Sequence, residues 1–279
     1  MSADVWSSNP VSPAFSSSGL PGANAARAAL ESFALRAQAQ PPTAADIDQV
    51  MRSLAEHDGW FVPVEYGHQA WGQSVFDQTI PIPDRGPLAM LSVFTDAEAA
   101  ALGEASVSGD YGGPVAGATL LQYLDPGLSS LFVNPGSPRE HQWYIEASGF
   151  EIAAGWGTAI AVERALANWG NTVMPRSELL NHRFQLLIER ELQAPAQVFL
   201  PDIDGVVAVC FTASDRTAEF VASLPPPTRG LADIAPIEGR GLFELVRTMG
   251  AAGVVINAGS DDQTALTSED ITEIIGVRR

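Results

Sequence analysis

Two short segments concentrate the polar chemistry of this chain, Asn134-Pro135-Gly136-Ser137 and Asn257-Ala258-Gly259-Ser260. Each closes an apolar run, and each is preceded by the same pair of residues further upstream, Phe94-Thr95 and Phe211-Thr212. Such a turn aims backbone N–H groups forward, so at a helix start it can hold a small carboxylate such as that of an amino acid. Asn134, Gly136, Ser137, Asn257, Gly259 and Ser260 are therefore the candidate binding residues. Turn geometry also accounts for them: Pro135 fixes φ, Gly136 and Gly259 supply a positive φ, and Asn134 can close the turn with its side chain. A threonine hydroxyl becomes a nucleophile only beside a base, and none recurs with Thr95 and Thr212. Thr95 with Glu98, and Thr212 with Asp215, fit the capping pattern of a helix start instead.

The remaining reactive side chains form no catalytic set. His57, His68, His141 and His182 stand at no metal-ligand spacing from each other or from a carboxylate, so no metal and no other cofactor is expected. Gly109-Asp110-Tyr111-Gly112-Gly113 lacks the Lys and Ser/Thr of a phosphate loop and reads as a flexible connection. Cys210 lies inside an apolar strand beside Val209 and Phe211, where a thiol packs as a small hydrophobe. One further region invites binding. The stretch from Pro63 to Phe94 is much longer than that from Pro201 to Phe211, and the extra residues include His68, Trp71, Asp77 and Asp84. A long loop or added hairpin there can carry a ligand, so Trp71, Asp77 and Asp84 join the candidates.

The elements that must position these residues recur in order. Thr43 with Asp46 starts a helix whose apolar face is Ile47, Val50, Met51 and Leu54, and Phe61-Val62-Pro63-Val64 follows as a strand. In the second half Leu180, Phe184, Leu187, Ile188 and Leu192 fit a helix, and Val198-Phe199-Leu200-Pro201 the strand after it. After each Phe-Thr strand and its helix comes a second helix, Leu120, Leu121 and Leu124 in one half and Leu242, Phe243 and Val246 in the other. The buried strands Leu131-Phe132-Val133 and Val254-Val255-Ile256 then lead into the Asn-x-Gly-Ser turns. A last helix follows, begun by Ser137, Pro138 and Glu140 in the first half and by Thr267 with Asp270 in the second. The order helix, strand, strand, helix, helix, strand, helix predicts an α+β fold of two tandem domains, each a small mixed sheet packed with helices.

The boundaries follow from composition. Residues 1–43 form a flexible tail ending in an Ala-rich helix over 23–39; 44–150 is the first domain, 151–175 a helical connector, and 176–279 the second domain. The chain of 279 residues holds 33 acidic residues against 15 basic ones, all Arg, for a net charge of −18. That field repels phosphate backbones and anionic membrane surfaces, which argues against nucleic-acid and membrane partners and in favour of a basic protein partner. The single cysteine agrees with a reducing compartment, and no apolar run reaches bilayer length or follows a basic start, so a cytoplasmic protein is expected.

The Phe-Thr strand, the Leu-rich helix and the apolar strand ending in Asn-Pro-Gly-Ser together resemble the N-terminal domain of SseB, a bacterial family named for enhanced serine sensitivity. Leu88 to Gly149 is the nearest stretch, and Gln197 to Ile275 resembles a diverged second copy. The resemblance implies an α+β fold and brings no settled reaction, cofactor or catalytic residue. The expectation is a non-enzymatic binding or adaptor protein, chaperone- or immunity-like, engaging a basic protein through an acidic surface. The alternative is small-molecule sensing or metabolism, with an amino acid such as serine as ligand.

Overall fold

In the computed structural model the chain is an α+β protein with mixed sheets. The structure describes residues 23–64, 78–82, 86–103, 110–111, 115–122, 124, 130–168, 176–200, 203–225 and 229–276. The expected tail over 1–22, most of the 65–86 insertion with His68, Trp71, Asp77 and Asp84, and Gly109, Gly112 and Gly113 lie outside the described residues. Two units separate between Gly157 and Thr158, inside the helix Phe150–Ala167 that had been expected within the connector.

The N-terminal unit opens with helices α1 (Ala23–Ala39) and α2 (Ala44–Glu56). The expected capping box forms: Asp46 N–H donates to Thr43 Oγ1 at 3.2 Å, and Thr43 N–H to Asp46 Oδ2 at 2.9 Å. Then come β1 (Pro63–Val64), β2 (Gln78–Ile82), β3 (Gly86–Val93), α3 (Ala97–Gly103), β4 (Asp110–Tyr111), α4 (Gly117–Gln122), β5 (Ser130–Val133) and β6 (Trp143–Glu146). The first half of α5 (Phe150–Ala167) completes it. β3 and β5 run parallel at the centre of the sheet, with β2 antiparallel outside β3 and β6 antiparallel outside β5. Leu91, Val93, Leu131 and Val133 are buried along that central pair.

The C-terminal unit begins within α5 and continues through α6 (Arg176–Asn181), β7 (Arg183–Glu189), β8 (Ala194–Pro195), β9 (Gln197–Phe199), β10 (Val206–Phe211) and α7 (Ser214–Ser223). It ends with β11 (Ala232–Glu238), α8 (Gly239–Met249), β12 (Gly253–Ile256), β13 (Thr264–Thr267) and α9 (Ser268–Ile275). The sheet order is β11-β7-β10-β12-β13, with β8 on β7 and β9 on β10; β10 and β12 are again a central parallel pair. One face carries Phe184, Leu186, Cys210, Val254 and Ile256 under α5, α6, α8 and α9, and the other carries Leu187, Val209, Phe211 and Val255 beside Phe220 of α7. Burial on both faces is why these strands read as unbroken apolar runs.

Three expectations are corrected. Leu180, Phe184, Leu187, Ile188 and Leu192 do not share a helix: α6 stops at Asn181, and Phe184 to Ile188 belong to β7. Their spacing suited a helix, but Phe184 and Leu187 sit on opposite faces of a buried strand. Nor does a helix follow directly on the Asn-x-Gly-Ser turns. Ser137 leads through one 3-10 turn, Arg139–His141, into β6, and Ser260 leads into β13; the helix capped by Thr267 starts only after that strand. Finally, Thr95 and Thr212 do not cap helices, as the site geometry makes plain.

Candidate functional site

Each central parallel pair ends at the residues singled out by the sequence. In the N-terminal unit Asn134 follows β5 with φ 52°, and in the C-terminal unit Asn257 follows β12 with φ 55°. Both take the left-handed conformation that Asn tolerates better than other side chains bearing a Cβ. Their backbone N–H groups extend the ladder, donating to Val93 O at 2.8 Å and Cys210 O at 2.9 Å. The amide side chains then turn back over the neighbouring strand. Asn134 Oδ1 accepts Thr95 N–H at 2.8 Å, and Asn257 Oδ1 accepts Thr212 N–H at 2.9 Å. Where each partner strand has ended, the Asn side chain supplies the carbonyl the ladder lacks.

The threonines sit inside this arrangement. Thr95 Oγ1 lies 3.1 Å from Asp96 Oδ2 and 3.2 Å from Asn134 Oδ1. Thr212 Oγ1 donates to Glu163 Oε1 at 2.5 Å and lies 3.0 Å from Asn257 Oδ1. Helix initiation falls to other groups: Asp96 Oδ1 accepts Ala99 N–H at 2.9 Å, while α7 begins after Ala213, which offers no side-chain cap.

A histidine closes each arrangement from the other side. His57 Nε2 donates to Thr95 O at 2.8 Å, and His182 Nε2 donates to Thr212 O at 2.8 Å. The carbonyl can only accept, which fixes the proton on Nε2. His57 meets Trp60 edge-on at 5.1 Å between ring centroids, and His182 meets Phe184 edge-on at 4.6 Å. Their own carbonyls accept from Gly117 N–H at 2.6 Å and Gly239 N–H at 2.8 Å, so each histidine ties the helix after its strand to the Phe-Thr strand. Burial in apolar surroundings lowers the pKa of His182 from 6.5 to about 4, against the opposing pull of Thr212 O and Glu163. His57, His182 and Glu163 are far apart in the sequence and fit no metal-ligand spacing, so their grouping is not apparent from local pattern. The available signal was a histidine in the same place after the first helix of each half.

This constellation is a brace. Asn134, Thr95, Asn257, Thr212, His57, His182 and Glu163 are all buried. Glu163 Oε1 is also 3.4 Å from Asn257 Nδ2 and 3.7 Å from Arg216 Nε, and Arg216 pairs further with Asp262. Thr212 and Glu163 have the hydrogen bond of a nucleophile and its base, but they are sealed in the core of their unit. Cys210 is fully buried, which pushes its thiol pKa up and away from the reactive thiolate. Among the described residues no group of three or more His, Cys, Asp or Glu side chains could hold a metal ion.

The turns themselves are internally bonded. Ser137 N–H donates to Asn134 O and Ser260 N–H to Asn257 O, both at 3.2 Å, and Gly259 N–H donates to Gln263 Oε1 at 2.8 Å. Gly136 and Gly259 are exposed with φ 82° and 79°, as the turn reading requires, while Ser137 is buried and Ser260 half-buried. Trp71, Asp77 and Asp84 lie outside the described residues. The C-terminal unit also carries an open cleft of about 740 Å³ between the β9–β10 turn, the end of α8 and the start of α9, lined by Phe199, Ile203, Asp204, Gly250 and Ser268 among others. It includes none of the Asn-x-Gly-Ser residues.

No family model matches the sequence, and no curated protein matches it. A solved structure, Anabaena Tic22 (protein transport), aligns over 72% of this chain and 84% of its own at 8% identity and a TM-score of 0.20. At that score the likeness carries no argument. Among the described residues no helix is long and apolar enough to cross a membrane.

Proposed function

We propose that this chain is a non-enzymatic, cytoplasmic binding or adaptor protein, made of two copies of an SseB-like unit, that engages a basic protein through its acidic surface. The observation that carries the reading is the burial of both Thr-Asn-His braces. The most distinctive repeated residues face inward and hold the parallel strands together, so Thr95, Asn134, Thr212 and Asn257 are accounted for as framework. Duplication is supported by equivalent contacts within each unit: the central parallel pair, the left-handed Asn, the Asn-to-Thr bond and the His-to-Thr bond. The chain as a whole carries a net charge of −18 without any lysine. A field of that sign raises the local concentration of cationic partners and speeds their encounter.

The reading is tested by retention of proteins from a native lysate on the immobilised full chain, with the captured set scored for isoelectric point. Enrichment of basic proteins that elute as salt rises supports it. A captured set no more basic than the lysate, with binding indifferent to salt, overturns it.

A second reading, sensing or metabolism of a small molecule such as serine, is favoured by the open cleft in the C-terminal unit. It moves the ligand away from the Asn-x-Gly-Ser turns, whose donors are already engaged at Ser137, Gly259 and Ser260.

A further inference from the structure

Helix α1 is seated on the N-terminal unit in an unusual way for a helix of 17 residues. Among its described side chains only Ala26 and Leu30 are buried, whereas α5 buries Ala153, Trp156, Ile160, Val162 and Leu166. Much of its hold is polar. Arg27 reaches Asp96 at 2.6 Å and Glu98 at 3.1 Å, Glu31 reaches His141 at 2.6 Å, and Arg36 reaches Asp46 at 2.8 Å and Gln49 at 3.0 Å. The seat beneath is anionic with an aromatic floor: Asp96 is 4% exposed, and Trp143 meets Phe33 edge-on at 4.3 Å. The indole Nε1–H of Trp143 is buried without an acceptor. A buried donor left unmet costs stability, so α1 satisfies this groove only in part.

We propose that the seat of α1 is the acidic docking groove of this protein, that α1 is its intramolecular occupant, and that a cationic amphipathic helix of a protein partner replaces it. This rests on the acidic-surface reading above and names its site. Three features define the partner: an Arg or Lys set to meet Asp96 and Glu98, a second cation toward Asp46, and between them an apolar side chain against the Trp143 ring beside a Gln, Asn or Ser whose oxygen accepts its indole N–H. A helix-in-groove exchange of this kind keeps the groove covered until a better-matched helix arrives. The pair of Arg27 with exposed Glu98 and that of Arg36 with Asp46 are open to screening by salt, while buried Asp96 is screened less, so α1 is the element whose docking should respond to ionic strength.

The test uses the full chain. Amide hydrogen exchange is followed from low to near-molar salt, in the wild type, in the Arg27→Glu, Arg36→Glu double variant and in the milder Arg27→Gln. A labelled peptide of the α1 sequence, Ala23–Ala39, is then titrated into each by fluorescence anisotropy. Expected results are α1 amides that lose protection about tenfold with salt or with the double variant, equivalent to 1.4 kcal/mol, while α2 and β5 keep theirs. The peptide then binds the double variant at least about tenfold tighter than the wild type, and a peptide with both arginines changed to Glu does not bind. The proposal is overturned by α1 protection equal to that of α2 at every salt concentration. It is equally overturned by loss of α2 and β5 protection together with α1 in both variants, which would make α1 an inseparable part of the fold, or by a released seat that ignores the peptide. Capture of basic proteins by a chain whose α1 never opens would sink this groove and leave the broader acidic-surface reading standing.

Discussion

Asn257 Oδ1 accepts the backbone N–H of Thr212 at 2.9 Å, so that a side chain just past β12 ends the ladder of β10. Asn257→Ala removes the acceptor from a buried N–H and puts an alanine at φ 55°. The two penalties, about 1–3 kcal/mol for the orphaned donor and about 1 kcal/mol for the left-handed backbone, predict a loss of about 2–4 kcal/mol in chemical denaturation. Asn257→Gly relieves the second penalty alone and should fall between wild type and alanine. Equal losses for the two variants would show that the backbone conformation is not under strain.

Gly136 and Gly259 occupy the same turn position, yet their surroundings separate them. A Cβ on Gly136 would stand 2.6 Å from Leu102 O, whereas one on Gly259 would meet only Phe220 Cδ2 at 3.6 Å. Both positions have positive φ, so Gly259→Ala should cost about 1 kcal/mol from conformation alone. Gly136→Ala should cost clearly more, because a backbone carbonyl must also move. Melting temperatures that rank the two variants the other way would refute the packing argument.

The α+β class and the buried parallel strands were readable because continuous apolar runs and local caps are local signals. Thr43 with Asp46 and Thr267 with Asp270 both form their capping boxes as written. β6 and β13 were not readable, since each buries a single central residue, Ile145 or Leu266, and leaves almost no alternation to detect. Thr95 and Thr212 were misassigned for a different reason. Thr followed by an acid satisfies the local rule for a helix start, but the group that claims each threonine is an Asn far along the chain, and a tertiary bond of that range leaves no mark in a local window. The recurrence of Asn was visible, and its purpose was not. His57 and His182 recur just as faithfully, but each acts through a long-range bond to a threonine carbonyl that metal-ligand spacing does not reveal.

Serine discriminates between the two functional readings. A ligand at a hundred times its dissociation constant adds about 2.7 kcal/mol to the folded state. Under the protein-binding reading the melting temperature is unchanged by millimolar serine. A saturable upward shift, abolished by Phe199→Ala or Ser268→Ala at the cleft, would transfer the assignment to small-molecule sensing.

The depressed pKa of His182 gives the C-terminal unit a definite pH dependence. Above pH 6.5 the imidazole is neutral in both folded and unfolded chains and contributes no slope. Between pH 6.5 and about 4 the unfolded chain takes up a proton that the buried ring refuses, so stability falls as the solution is acidified. The interval corresponds to about 3 kcal/mol in all, and below it the contribution levels off because the folded ring is protonated too. Glu163 opposes this by favouring the charged ring, so the Glu163→Gln variant should lower the pKa further and extend the limb downward in pH. His182→Gln should flatten the limb while lowering stability at neutral pH. The check is denaturant unfolding of the full chain at intervals from pH 7.5 to 4: a His182→Gln profile parallel to that of the wild type would assign the acid sensitivity to other groups.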